Sequence, residues 1–323
     1  MFETPILVIT FNRADFTRKV LGEVMKQNPR ELYLFCDGPR ANNTSDTIRI
    51  EEVHKVIESL TAGTDTHVHI NYATSNLGCG PGPAYALTWF FNEVDQGIIL
   101  EDDAIPHPDF FHYCSELLEK YRDDESVMAI GSMNVDTQGW GDGSYYFSMM
   151  NRNLCAWATW RRAWKCFDMY HRNITRGRLS RAMRRYGCGI LEREYWCDRL
   201  DEVHRDGAGG KSWDMQFLIS IWLRHGKGII PKTNLSSNIG TVTDATHCLE
   251  KGNIIDNRPS FPILPLTHPT DCGVQREADR QFHFRYFETA KARWGRGHIL
   301  YYLVNKRLKK MVGHKGPWRS IKR

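Results

Sequence analysis

Short apolar runs alternate with helical patterns over residues 1–131. Five segments of strand length occupy residues 5–11, 31–36, 67–72, 97–100 and 127–131; the segment 67–72 alternates polar and apolar residues, and the other four are mainly apolar. Between them apolar residues recur at helical spacing, namely Phe16, Val20, Leu21 and Val24, then Val53, Val56, Ile57 and Leu60, then Leu87, Phe90, Phe91 and Val94, and finally Phe110, Cys114, Leu117, Leu118 and Tyr121. This alternation predicts an α/β fold whose Rossmann-like, mostly parallel central sheet is covered by helices.

The pattern becomes irregular beyond Met133. It predicts a strand over residues 145–149, a helix over 159–168, a basic and polar connection over 172–206, and a helix over 214–225. Four prolines between Pro259 and Pro269 are typical of a connector. We therefore predict one main domain over residues 1–250, with halves 1–131 and 132–250, followed by the connector and a helical C-terminal extension over 251–323.

Charge is unevenly distributed in this chain of 323 residues and net charge +5. No acid follows Glu288, while lysines and arginines alternate with apolar and aromatic residues over 298–323. Such a basic amphipathic segment suits an anionic membrane surface, and a solvated tail or a nucleic-acid contact is the alternative. No recognised nucleic-acid module accompanies it, so we expect no specific nucleic-acid partner.

Cysteine usage and the N-terminus indicate the compartment. The nine cysteines include no CxxC pair, which argues against a common zinc site. The chain starts with neither a basic segment nor a cleavable apolar one, so we expect a cytoplasmic protein, peripheral at the inner membrane face if the tail binds lipid.

Three consecutive acids, Glu101, Asp102 and Asp103, directly follow the apolar run 97–100. Crowded carboxylates repel one another, and a divalent cation relieves that repulsion. Mg²⁺ and Mn²⁺ take oxygen ligands and commonly bind through one or two carboxylates together with substrate phosphates. The acids therefore predict a metal-bound nucleotide diphosphate, although three acids in an ordinary surface loop remain the alternative.

Other polar residues end the neighbouring strands. Thr10, Asn12 and Arg13 follow the first apolar run, and Asp37 follows the second. The ligands of open α/β sheets collect outside the carboxyl ends of the strands. We expect these four residues to join the acids at one sheet edge, where Asp37 can accept a hydrogen bond from a nucleotide base.

With these motifs the chain resembles the GT-A nucleotide-sugar glycosyltransferases, and in particular N-acetylglucosaminyltransferase I and its bacterial relatives. The resemblance covers roughly residues 5–250, and it is most specific at the three acids and the turn that follows them. The matching segments are Pro5-Ile6-Leu7-Val8-Ile9, Ile98-Ile99-Leu100-Glu101-Asp102-Asp103, Pro108-Asp109-Phe110-Phe111, Leu154-Cys155-Ala156-Trp157-Ala158-Thr159-Trp160-Arg161-Arg162-Ala163-Trp164, and Trp213-Asp214. It implies a GT-A fold, in which residues 1–131 form the nucleotide-binding half and 132–250 the acceptor half.

The resemblance also implies a role for each acid. Asp103 would bind the Mn²⁺ or Mg²⁺ ion directly, and Glu101 and Asp102 would lie near ribose or sugar hydroxyls of the donor. Asp214 matches the general base, which in an inverting transfer takes the proton from the acceptor hydroxyl. Its alternative is a plain helix cap, and Met215 replaces the second acid that the family carries after the base.

The remaining site residues are assigned on the same resemblance. Arg13 and Asp37 would contact the nucleotide, and Asn76 and Gly78 would lie beneath it. His247 resembles the late histidine that many members supply to the metal or to a phosphate. Lys211, Arg161 and Arg162 are candidates for the diphosphate, and Trp157 and Trp160 for walls that stack on the sugar, with core packing as the alternative.

We therefore expect a metal-dependent, inverting hexosyl- or N-acetylhexosaminyltransferase. Its donor would be a nucleotide-diphosphate sugar, UDP-linked by default, and its acceptor a glycan or a lipid-linked glycan. A retaining enzyme on the same fold is one alternative, and a non-catalytic nucleotide- or glycan-binding protein is another.

Overall fold

The computed structural model describes residues 1–136, 139–150, 155–206, 213–240 and 257–286. The predicted strands over 31–36, 67–72 and 127–131 are found with those bounds. The elements, in chain order, are β1 (Ile6–Thr10), α1 (Ala14–Met25), β2 (Glu31–Cys36), α2 (Thr44–Thr61), β3 (His67–Tyr72), α3 (Pro81–Glu93), β4 (Gln96–Glu101), β5 (Ala104–Pro106), α4 (Asp109–Lys120), β6 (Val127–Gly131), β7 (Tyr145–Ser148), β8 (Ala156–Trp160), α5 (Arg161–Trp164), α6 (Arg176–Arg185), α7 (Ile190–Asp206), α8 (Asp214–Leu223), β9 (Lys227–Pro231), β10 (Ser236–Asn238) and α9 (Arg276–Tyr286).

In the described part of the chain, the central sheet has eight strands in the order β3-β2-β1-β4-β8-β6-β9-β7. Four neighbouring pairs are parallel, and the three pairs that involve β7 or β8 are antiparallel. Six strands therefore run in one direction and two against them. The predicted α/β fold with a mostly parallel, helix-covered sheet is confirmed. A separate antiparallel pair joins β5 to β10.

Helices cover both faces of this sheet because its central strands, such as β1 and β4, are apolar on both sides. Ile6 and Val8 of β1 pack with α1, α2 and α4, whereas Leu7 and Ile9 pack with α3, α5 and α8. The chain passes from β1 through α1 to β2 on one side, and it returns through α3 to β4 on the other side of β1. The strand order thus reverses between β1 and β4, which is where doubly wound sheets bind their ligands.

The helix predicted over 159–168 is wrong in its first part. Residues 156–160 form β8, which lies between β4 and β6, and helix α5 begins only at Arg161. All five side chains of β8 are buried, with Trp157 toward one helix layer and Trp160 toward the other. A run that is buried on both faces lacks the polar–apolar alternation that distinguishes a strand from a helix.

The stretch predicted as a polar connection, 172–206, contains two amphipathic helices. Helix α6 buries Leu179 and Met183, and α7 buries Trp196 and Leu200 in the same cluster. The guanidinium of Arg176 joins the two helices through three carboxylates of α7, those of Glu194, Asp198 and Asp201, at 2.7 to 3.0 Å. The many charged residues on the outer faces of both helices hid their helical spacing.

Residues 257–286 pack on the main domain, although the sequence predicts a connector there. The backbone N–H groups of Ile263 and Leu264 donate to the Asp109 carboxylate at 2.8 and 3.2 Å. Asp279 of α9 is buried and accepts hydrogen bonds from the Ser148 hydroxyl and the Met149 N–H. The predicted domain boundary at residue 250 and the basic segment 298–323 lie outside the described residues. Among the helices that are described, none is long and apolar enough to span a bilayer.

Replacement of Gly97 by Ala is expected to destabilise the protein by about 1–3 kcal/mol, because the core beside β4 has no room for a methyl group. A Cβ at Gly97 would lie 2.3 Å from Cζ of Phe90 and 2.9 Å from the Pro5 carbonyl oxygen. Urea unfolding measures this loss. Gly22→Ala in α1 is the control, since a Cβ there meets nothing within 4 Å and favours the helix. Equal losses in the two variants would contradict the packing argument.

Candidate active site at the carboxyl ends of β1 and β4

The carboxyl ends of β1 and β4 lie side by side, with Ile9 opposite Glu101. The N–H of Asp102 donates to the Ile9 carbonyl oxygen at 3.0 Å, which extends the pairing into the acidic turn. Arg13 follows β1 by three residues and therefore starts from the same edge. The structure thus brings Arg13 together with all three acids.

Arg13 forms ion pairs with two of these acids. Its guanidinium contacts the buried carboxylate of Asp102, and its Nη2 lies 3.2 Å from Oδ2 of Asp103. Burial lowers the pKa of Arg13, but the charges of Asp102 and Asp103 outweigh it and raise that pKa above the ordinary value. Burial, opposed by Arg13, raises the pKa of Asp102 to about 6. The ion pair with Arg13 therefore stabilises the charged form of Asp102.

Asp103 also lies close to Glu101 and Cys155. One ligand atom of each of these three residues lies within 4.8 Å of the other two. All three side chains are partly exposed, so a ligand can reach them. Burial and the charge of Asp103, together with Asp102 and Asp214, raise the pKa of Glu101 to about 8. The repulsion that the sequence predicts among the acids is therefore present in the structure.

A short backbone segment from β10 closes the site over Asp103. The N–H of Ile239 donates to the Asp103 carbonyl oxygen at 2.8 Å, and the amide of Asn238 lies 3.5 Å from its carboxylate. A Cβ at Gly240 would lie 2.2 Å from Oδ2 of Asp103, so only glycine allows this approach. Local sequence patterns do not assign Cys155, Asn238 or Gly240 to the site. A glycine just beyond a short strand is the signal for such a close approach.

The donor set suits a hard divalent cation. Glu101 and Asp103 supply carboxylate oxygens, the ligands that Mg²⁺ and Mn²⁺ prefer, and a cation would relieve the repulsion between them. Burial and the neighbouring Glu101 charge raise the pKa of the Cys155 thiol well above its ordinary value. Hard dications prefer oxygen ligands to sulfur, so Cys155 fits the wall of the site better than the metal.

Asp214 begins helix α8 and is exposed to solvent. The start of the helix is fixed by the buried Trp213, whose ring stacks on that of Trp157 at 5.6 Å between centroids. The negative charge of Asp214 contributes to the raised pKa values of both Glu101 and Cys155. Asp214 is therefore near enough for its charge to act on Glu101 and Cys155. Its catalytic role stays a prediction.

Asp37 holds the loop that follows β3. Its carboxylate accepts four hydrogen bonds, from the N–H groups of Gly38, Leu77 and Gly78 and from the Asn76 amide, at 2.8 to 3.0 Å. Gly78 has a φ of +89°, a conformation that a glycine adopts without strain. The structure thus brings Asp37, Asn76 and Gly78 together. The observed bonds give Asp37 the role of shaping the loop, and its contact with a base stays a prediction.

Thr10 and Asn12 make contacts within the protein. The buried Thr10 hydroxyl donates to the Phe35 carbonyl oxygen at 3.0 Å. The Asn12 amide donates at 2.8 Å to Asp46, whose buried carboxylate also binds Arg40 at 2.6 Å. These contacts fix the loop between β1 and α1, so both residues support the position of Arg13. A direct contact of either residue with a nucleotide stays a prediction.

The structure assigns other candidates to the core or to distant surfaces. Trp157 and Trp160 are buried, which excludes them as exposed stacking walls. Arg161 binds the carbonyl oxygens of Phe91 and Val94, and Arg162 binds three carbonyl oxygens, those of Tyr121, Arg122 and Val127. Arg161 therefore stabilises the C-terminal end of α3, and Arg162 stabilises the C-terminal end of α4 and the start of β6. Lys211 and His247 lie outside the described residues.

The raised pKa of Glu101 predicts a pH dependence of stability. Glu101 ionises near pH 4.3 when unfolded and at about pH 8 when folded, so the unfolding free energy should fall between these values. In Glu101→Gln this fall should be smaller, as measured by urea unfolding at several pH values from 5 to 8. Glu119→Gln, which changes an exposed glutamate, is the control and should keep the wild-type slope. Parallel curves for wild type and Glu101→Gln would refute the shift.

Comparisons with known proteins concern the fold alone. The chain matches no protein-family model and no curated protein. Among solved structures, it is similar to 4-diphosphocytidyl-2C-methyl-D-erythritol synthase from Anaerococcus prevotii, with 8% identity, a TM-score of 0.31, and coverage of 50% of this chain and 74% of that one. HddC from Yersinia pseudotuberculosis in complex with GMP-PN gives 13% identity, a TM-score of 0.30, and coverage of 50% and 78%.

A third solved structure, apo-UDP-glucose pyrophosphorylase, is similar over more of the chain. It has 8% identity and a TM-score of 0.35, and the match covers 70% of this chain and 90% of that one. At such low identities and scores, these similarities assign no activity and no ligand to this protein.

Proposed function

We propose that this protein is a metal-dependent, inverting glycosyltransferase. It moves a sugar from a nucleotide-diphosphate donor, UDP-linked by default, to a hydroxyl of a glycan or glycolipid. The proposal rests on the acids that lie close together where the strand order reverses, between β1 and β4. Glu101 and Asp103 lie there within 4.8 Å, and the Asp214 charge acts on Glu101. The resemblance of the acidic turn and of Trp213-Asp214 to GT-A enzymes supports sugar transfer in particular.

Asp103 and Glu101 are the residues that would hold the divalent cation. When bound, such a cation neutralises the charge that develops on the leaving diphosphate. Arg13 forms ion pairs with Asp102 and Asp103 and so places a positive charge beside the proposed cation site. Gly240 packs closely against the Asp103 carboxylate, and the Asn238 amide lies 3.5 Å from it.

Asp214 takes the proton from the acceptor hydroxyl in this proposal. An exposed carboxylate at the start of α8 can be reached by an acceptor from solvent, while the donor occupies the space above β1 and β4. A base within hydrogen-bond reach of the attacking hydroxyl contributes typically 10²–10⁴ to the rate. Attack from the face opposite the leaving diphosphate inverts the anomeric carbon.

The donor base would lie against the loop that Asp37 shapes. Leu77, next to Asn76 and Gly78, is about one-third exposed at 36%, and it offers an apolar surface to a base. The basic segment 298–323, which lies outside the described residues, supports a lipid-linked acceptor at an anionic membrane surface.

Release of nucleoside diphosphate from a panel of UDP-, GDP-, dTDP- and CMP-linked sugars tests the proposal, with CMP release followed for the last. Wild-type protein is assayed with Mn²⁺ and with a chelator, and Asp103→Ala is the matched blank. We expect slow, metal-dependent turnover of one donor that is lost in the blank. No turnover of any donor, and no rise in melting temperature with any donor, would reject the enzyme and favour a binding protein.

A further inference from the structure

A second group of metal-ligating side chains lies at the opposite end of the sheet. Glu31 is the first residue of β2, and His67 and His69 occupy the first and third positions of the edge strand β3. Glu31 pairs in register with His67, and side chains two apart on a strand point to the same face. The topology therefore places two imidazoles and one carboxylate on a single patch.

The distances within this patch suit a tetrahedral transition metal. Nε2 of His69 lies 2.8 Å from Oε2 of Glu31, and Nδ1 of His67 lies 3.5 Å from the same oxygen. One ligand atom of each residue lies within 4.8 Å of the other two. Ligands at about 2.0–2.2 Å from a tetrahedral Zn²⁺ stand roughly 3.3–3.5 Å apart. Small side-chain rotations are enough to converge the three atoms on one ion.

Packing already fixes one of these ligands. The His69 ring stacks on Tyr33 at 4.2 Å with an interplanar angle of 8°, and Tyr33 in turn contacts Phe90 of α3. His67 is exposed, with 74% of its side chain accessible, so a metal ion can enter from solvent. Because His69 is already ordered, less conformational entropy is lost when the metal ion binds.

We propose that Glu31, His67 and His69 bind a transition-metal dication such as Zn²⁺, separately from the acid cluster at the other sheet end. Two imidazoles and a carboxylate suit Zn²⁺, Cu²⁺ or Ni²⁺ rather than Mg²⁺. Five residues separate Glu31 from the carboxyl end of β2, or about 17 Å of strand, so the ion takes no part in sugar transfer. It ties the edge strand β3 to β2 where the two strands begin. This site does not depend on the proposed function.

Calorimetric titration with Zn²⁺ on the full-length protein tests the site. His69→Phe keeps an aromatic ring against Tyr33 but removes the ligand nitrogen, and His67→Ala removes a ligand from an exposed position. Each variant should bind one equivalent of Zn²⁺ less than wild type, or should bind that equivalent roughly tenfold or more weakly. The control is His112→Phe, which changes another exposed histidine that packs edge-on against Phe2 at 5.7 Å. It should titrate like wild type.

Zinc X-ray absorption on protein loaded with one equivalent separates this site from the cysteines. We expect nitrogen and oxygen scatterers at about 2.0–2.2 Å and no sulfur at about 2.3 Å. Sulfur in that shell, or unchanged titrations in both His69→Phe and His67→Ala, would overturn the proposal. The Asp103→Asn variant should still bind this equivalent of Zn²⁺. If Asp103→Asn no longer binds it, the ion belongs to the acid cluster instead.

Discussion

Asp103→Asn is expected to lower metal-dependent turnover of the donor by on the order of 10²–10³, because it removes the carboxylate charge that holds the cation. The substitution preserves the shape of the side chain, so it still fits against Gly240. Arg13 keeps its ion pair with Asp102. Loss of the Asp103 charge also removes its electrostatic repulsion of the Glu101 carboxylate, a repulsion that raises the pKa of Glu101. We therefore expect the melting temperature not to fall appreciably while kcat/KM collapses.

The matched control for this variant is Asp123→Asn, which changes an aspartate with 88% of its side chain exposed. It should keep wild-type turnover and the wild-type response to Mn²⁺. An Asp103→Asn protein that retains its turnover would show that the acid cluster does not act through a metal. A parallel loss of stability and activity would instead assign Asp103 a structural role.

Asp214→Asn is expected to reduce kcat for sugar transfer by on the order of 10²–10⁴, with little change in KM for the donor. The base acts on the acceptor hydroxyl, so donor binding and its dependence on Mn²⁺ should survive. This split between kcat and KM separates Asp214 from Asp103, whose loss should weaken donor binding as well. Steady-state kinetics with saturating acceptor measure both constants.

Asp214 also lies in the first turn of α8, where a negative charge favours the helix by about 0.3–1 kcal/mol. Glu277→Gln removes an exposed charge from the first turn of α9 and controls for that effect. It should leave kcat unchanged. If Asp214→Asn also keeps its kcat, the general-base role is refuted and a retaining mechanism becomes the better interpretation. The anomeric configuration of the product then decides between the two mechanisms.

The first half of the fold follows from local patterns. The segments 31–36, 67–72 and 127–131 match β2, β3 and β6 to the residue, because each is a short apolar or alternating segment bounded by polar or turn residues. The alternation of helices and strands was also sufficient to predict a mostly parallel sheet. Local patterns failed at β8, since its residues are buried on both faces by partners distant in sequence.

The candidate site could be predicted only in part. Strand ends are visible in the sequence, so the sequence alone predicts that Arg13 and the acids lie at one edge of the sheet. Asn238 and Gly240 reach Asp103 through the pairing of β10 with β5, a long-range contact that no local pattern encodes. The roles of Trp157 and Trp160 depended on burial, which composition alone does not determine.

Binding of nucleoside diphosphates, measured by calorimetry with and without Mn²⁺, tests most directly whether the β1–β4 edge is a metal-dependent donor site. UDP, GDP, dTDP and CDP are titrated into wild type and into Asp103→Asn. We expect one of them to bind wild type in the presence of Mn²⁺, and to lose most of its affinity with a chelator or in the variant. Binding of none of the four, or binding that neither the chelator nor Asp103→Asn weakens, would contradict a metal-dependent donor site at this edge.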